Sequence, residues 1–140
     1  MQKVLDAKID AQPPALLRLA FRPFFLLGAA FAVVAILRWV IILQGWSTWK
    51  GHMPVFFWHA HEMIFGFGCA IIAGFLLTAV QNWTGLPGVQ GKMLAALFIL
   101  WLMARIFLLF PDFFGSTFST FLDLAFLPCV AFILAKPILA

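Results

Sequence analysis

Hydrophobic and polar positions segregate into long blocks along this chain rather than alternating. Phe24 to Leu43 is an apolar run of 20 residues interrupted only by Arg38, and Pro23 suits the first turn of a helix there. Val55 to Val80 is a longer run that carries His59, His61 and Glu62 near its start. Met93 to Phe110 carries Arg105, and Thr117 to Leu134 carries Asp123 with Pro128 placed to kink it. A helix needs about 20 residues to cross the hydrocarbon core of a bilayer. The pattern therefore predicts four transmembrane helices. The second is long enough to tilt or project, and the last two must borrow flanking residues. The expected fold is all-α, an integral membrane bundle of four helices. Residues 1–22 form a short polar N-terminal segment and residues 23–140 a single transmembrane domain.

The connections carry turn residues. Gln44 to Met53 holds Gly45 and Gly51, and Gln81 to Lys92 holds Gly85, Pro87, Gly88 and Gly91. Pro111 to Ser116 is short, which predicts an antiparallel last pair. At the N-terminus, Lys3, Asp6, Lys8 and Asp10 precede Pro13-Pro14, which break any helix there. Ala15 to Phe21 suits one interfacial turn, with Arg18 and Arg22 reaching lipid headgroups. A signal peptide is not expected, because no small-residue cleavage site follows the first apolar run and that run is long enough to span.

Composition sharpens the class. Apolar residues make up 65% of the chain and charged residues 10%, against about half and about a quarter in ordinary globular proteins. That excludes a soluble enzyme, a nucleic-acid binder and a disordered tail. The net charge of +4 is a topology signal before it is anything else. Lys3, Lys8, Arg18, Arg22, Lys92 and Lys136 fall on one side of four crossings and Lys50 on the other. Both termini are therefore expected in the cytoplasm, with Trp46, Trp49 and Trp58 at the outer interface and Trp83 at the inner one. Cys69 and Cys129 lie in apolar runs without a CxxC neighbour, so no disulfide framework or zinc knuckle is implied. The absence of Tyr excludes a tyrosyl proton donor.

Five uncommon residues share one depth. At about 1.5 Å per residue, Arg38 lies roughly 7 Å inside the outer end of the first helix, and His59 lies at a similar depth in the second. Glu62 is one turn deeper, Arg105 about five residues from the outer end of the third helix, and Asp123 about one to two turns into the fourth. Charges at mid-span cost about 2.5–3.5 kcal/mol each on insertion scales. Arg38, Glu62, Arg105 and Asp123 are thus expected to form a shared buried polar layer in which two acids and two bases neutralise each other. The competing readings are snorkelling for the two arginines and a neutral acid or simple structural pair for Asp123.

His59 and Glu62 are three apart and share a helix face, so His59 is the expected partner of Glu62. His61 points about 200° away from His59, so one regular helix cannot aim both at a single metal. Met63, four residues past His59, offers a soft sulfur. His59, His61 and Met63 are the candidate metal or cofactor ligands, with Glu62 as the carboxylate that orients an imidazole. Imidazole suits copper, zinc and haem iron alike. The competing reading is hydrogen-bonded structural histidines. Gly66, Ala70, Gly74 and Thr78 continue the helix as a small-residue stripe, which predicts close helix packing.

The stretch Trp58-His59-Ala60-His61-Glu62-Met63-Ile64-Phe65-Gly66-Phe67 resembles the NnrS family. So do Ala73-Gly74-Phe75-Leu76-Leu77-Thr78-Ala79-Val80-Gln81-Asn82-Trp83-Thr84-Gly85 and Phe21-Arg22-Pro23-Phe24-Phe25. The motifs run in the family's order, and the resemblance is to the N-terminal portion of a typical member. It implies a bacterial inner-membrane protein of the response to nitric oxide and nitrosative stress, a family with which haem and copper are associated. The bilayer is the expected environment, and a second copy or the remaining part of an NnrS-like chain an expected partner. Two other functions fit the residues: a transporter or proton path using the Arg, Asp and Glu layer, and a structural module that needs partner chains.

Overall fold

A computed structural model describes residues 13–110 and 116–139. Lys3, Lys8 and the Pro111 connection thus lie outside the described residues. After a single 3-10 turn, Ala15–Leu17, come four helices: α1 (Phe21–Leu43), α2 (Val55–Thr84), α3 (Gly91–Leu109) and α4 (Ser116–Leu139). No strand occurs among the described residues. All four helices are long and apolar enough to cross a membrane. The third and fourth do borrow flanking residues, and α4 runs on through Pro128.

Each boundary has a local cause. The first backbone N–H of α1, at Phe21, donates to the Thr78 hydroxyl of α2 at 2.9 Å. A neighbouring helix thereby satisfies one of the donors that every helix start leaves open. Pro23 sits in the same first turn, where its missing N–H costs nothing. At the other end, Gly45 takes φ +74°, Gly45 N–H donates to Ile42 O, and Trp46 N–H donates to Ile41 O. This is the glycine-terminated double bond that closes many helices. Gly85, at φ +70°, ends α2. Arg18 and Arg22 donate to the carbonyls of Pro13 and Ala15, at 2.9 and 2.7 Å, and so tie down the N-terminal turn.

The small-residue stripe of α2 faces α1. A Cβ on Gly74 would lie 2.9 Å from Phe24 Cβ, and one on Gly28 of α1 would lie 3.4 Å from Ala70 Cβ. These helices approach closely because those side chains are missing or small. The centre is aromatic: Phe24 of α1 meets Phe98 and Trp101 of α3 edge-on at 5.7 and 6.2 Å, and Phe126 of α4 at 5.8 Å. Large apolar side chains such as Leu26, Leu37, Phe121 and Leu124 point outward, as a lipid-facing surface requires. Trp46 and Trp83 are exposed near helix ends, whereas Trp58 is buried and donates to Leu108 O at 3.1 Å. Trp58 is therefore a core residue of the α2–α3 contact and not an interfacial anchor. Its indole N–H has found a carbonyl at the end of α3, which removes the need for water.

Helix α2 is not one regular helix. It is α-helical over Val55–His61, a π-helix over Glu62–Gly68, and α-helical again over Cys69–Thr84. A four-residue repeat drifts by about 40° per step on a 3.6-residue helix. A π turn holds more residues and rotates the other way. That correction helps keep Glu62, Gly66, Ala70 and Gly74, all buried, in one line.

Candidate functional site

The π segment opens at the one fully buried acid in the described chain. Glu62 is 0% exposed and Arg105 1% exposed, and Arg105 Nη1 donates to Glu62 Oε2 at 3.1 Å. Arg105 Nη2 donates to Asp123 Oδ1, so the guanidinium of α3 holds one carboxylate from α2 and one from α4. His61 completes the ring. Its Nδ1 lies 3.0 Å from Glu62 Oε1 and its Nε2 lies 3.0 Å from Asp123 Oδ2. The side chains of Asp123 and His61 are 12% and 24% exposed, so this face of the cluster is the more accessible one.

The polar layer thus gathers Glu62, Arg105 and Asp123, as expected, with His61 added and Arg38 left out. Arg38 sets its guanidinium carbon 5.9 Å from the Trp49 ring and 5.6 Å from the Phe110 ring. Aromatic faces attract a cation electrostatically, so a carboxylate is not the only neighbour an intramembrane Arg will accept. The expected pairing of Glu62 with His59 is corrected: Glu62 bonds His61, its immediate neighbour. Both carboxylate oxygens of Glu62 are drawn towards the α3–α4 side, one by Arg105 and the other by His61. The His59 ring is drawn the other way and stacks on Trp39 of α1, with centroids 4.0 Å apart and planes within 6°.

Two supporting residues carried no obvious motif. Trp101, fully buried on α3, donates its indole N–H to Gly66 O at 2.9 Å. It therefore pins the π segment from one turn below Arg105. Its signal was its position, four residues before Arg105 and so on the same helix face. Phe31 of α1 packs edge-on against that indole at 5.8 Å and closes the site from the other side. Cys69 is half-buried, and Cys129 is exposed on α4.

The histidines differ as ligands. Each ring nitrogen of His61 already faces a carboxylate oxygen, so His61 as placed has none left for a metal. His59 keeps a buried Nδ1 without a hydrogen-bond partner. Met63 is half-buried and packs against the apolar core. Among the described residues, no three His, Cys, Asp or Glu side chains are grouped to hold a metal ion.

An all-helical bundle whose four long apolar helices enclose a ring of two acids, an arginine and a histidine is a multi-pass membrane protein with an intramembrane ionic centre. Comparison with known families makes this more specific. The family model described as NnrS protein matches residues 15–140, and the chain belongs to that family. No curated protein and no solved structure matches it.

Proposed function

We propose that this chain works as an NnrS-like protein of the bacterial inner membrane in the nitric oxide response, and that its working centre is a proton-holding cluster formed by His61, Glu62, Arg105 and Asp123. One observation carries the reading: a carboxylate oxygen lies on each ring nitrogen of His61. A neutral imidazole has one donor and one acceptor. Its acceptor nitrogen would face a carboxylate lone pair unless a further proton were present, either as imidazolium or on one of the acids. With that proton the cluster sums to zero, two acids against Arg105 and one added positive charge. Without it, a net negative charge stays in a low-dielectric interior, where uncompensated charge is costly. Groups of this kind in membrane spans are rare and usually functional.

The test is a proton count. In protein carrying 15N-labelled histidine at neutral pH, His61 should give an imidazolium signal, or the infrared spectrum should show a protonated carboxyl that disappears in Asp123→Asn or Glu62→Gln. A neutral His61 with no protonated carboxyl overturns the reading.

The haem and copper association of the family gives a second reading, supported by the unpartnered Nδ1 of His59. His59 would hold such a group through its free ring nitrogen, and His61 as placed would not. Bound there, the metal would supply a redox centre open to a small diatomic ligand. The residues of this chain contribute the flat face of Trp39, which fixes the plane of the His59 ring. Purified protein loaded with haem or copper should lose its bound metal in His59→Ala and keep it in His61→Ala. Equal retention in both variants overturns a ligand role for His59.

A further inference from the structure

We propose that the groove between α3 and α4, at the end of the bundle that carries Lys92 and Lys136, is a binding site for one anionic phospholipid. Two cavities adjoin there. One, of about 300 Å³, is bounded by Leu77 and Val80 of α2 and by the connection before α3, and carries Gln90 and Lys136. The other, of about 210 Å³, continues along Ala96, Leu100 and Cys129 and has no charged residue in its wall. Met93 and Ile133 line both, so a cavity with a charged mouth abuts an apolar groove. The groove exists because the two facing positions on the helices, Ala96 and Cys129, are small and exposed among larger side chains.

Its length suits an acyl chain. From Gln90 to Leu100 the helix rises about 15 Å, which is about half the thickness of a hydrocarbon core and so one leaflet. Its charge suits an acidic headgroup. Lys136 lines the mouth, with its Nζ 4.9 Å from the Phe132 ring, while Lys92, exposed at the same end of the bundle, lines a neighbouring cavity with Pro13, Pro14 and Leu17. Both acids among the described residues, Glu62 and Asp123, lie towards the opposite end of the bundle, so no described acid at the mouth neutralises Lys136. Gln90, in extended conformation, places no side-chain cap on the first turn of α3, which adds positive partial charge to the same mouth. A zwitterionic lipid would fill the groove equally well and leave Lys136 unmatched.

The experiment is native mass spectrometry of the whole protein from detergent micelles containing equal phosphatidylglycerol and phosphatidylcholine. The wild type should retain one phosphatidylglycerol per chain in preference to phosphatidylcholine. Lys136→Gln should lower that preference roughly five-fold, the factor expected from about 1 kcal/mol per lysine at an anionic surface. Ala96→Phe should fill the groove and remove the retained lipid, with helicity checked by circular dichroism. Cys129→Phe, at an exposed position on the opposite wall, repeats the test should Ala96→Phe fail to fold. Equal retention of the two lipids, or unchanged retention in a folded groove-filling variant, overturns the proposal.

Discussion

Arg105→Ala is expected to destabilise the bundle by about 3–5 kcal/mol, the cost typical of removing one partner from a buried ion pair. The guanidinium is 1% exposed and holds Glu62 and Asp123 together. Without it, two carboxylates from different helices face each other across a site with only His61 to compensate. Protonation of one acid relieves part of this, so adding Glu62→Gln to Arg105→Ala should restore a substantial share of the loss. Unfolding by SDS in mixed micelles, followed by tryptophan fluorescence, measures both values. A loss below about 1 kcal/mol, the value of an exposed pair, would show that the cluster does not hold the helices together.

Gly66→Ala should cost about 1–3 kcal/mol through overpacking, while Gly68→Ala, two residues along the same π segment, should be neutral or slightly stabilising. The contrast is geometric. A Cβ on Gly66 would lie 2.6 Å from Phe31 Cε1, 3.1 Å from Glu62 Oε2 and 3.2 Å from Arg105 Cδ. The Phe31 ring cannot simply swing aside, because it is buried and packs on Trp101, which itself bonds Gly66 O. On Gly68 the nearest atom is Met63 O at 3.4 Å, an ordinary contact. Replacing a helical Gly by Ala then gains up to about 1 kcal/mol from lost backbone freedom in the unfolded chain. The same unfolding assay separates the two. Equal effects would mean that the packing at Gly66 is looser than its neighbours indicate.

The four spans were legible because a bilayer demands long, predominantly apolar runs, and a few ionisable residues within them do not hide the pattern. The meeting of Glu62, Arg105 and Asp123 was legible for a related reason: opposite charges at equal depth on different helices have few alternatives to each other. Arg38 defeated the same logic because Trp49 and Phe110 offered it ring faces instead. The partner of Glu62 was not legible, because His59 and Glu62 do share a regular turn but tertiary contacts part them: Trp39 takes the His59 ring, and Arg105 and Asp123 draw Glu62 and His61 together. Nothing in Glu62-Met63-Ile64-Phe65-Gly66-Phe67-Gly68 announces a π turn. Its wider hydrogen bonding is supported by a tertiary contact, the indole of Trp101 on the Gly66 carbonyl. Trp58 was misplaced because an amphipathic ring near a helix end has two good homes, the headgroup region and a buried carbonyl, and sequence does not choose between them.

The π turn in α2 acts as a vernier. Below it, the angular setting of the helix answers to the fit of Ala70 and Gly74 against α1. Above it, the setting answers to where the two histidines must point, His59 to Trp39 and His61 to Asp123. A continuous α-helix would lock these two settings together, so that any change of interhelical fit would swing the imidazoles off their marks. Seven residues of looser winding give each half its own adjustment, and the ionic ring sits at the joint between them.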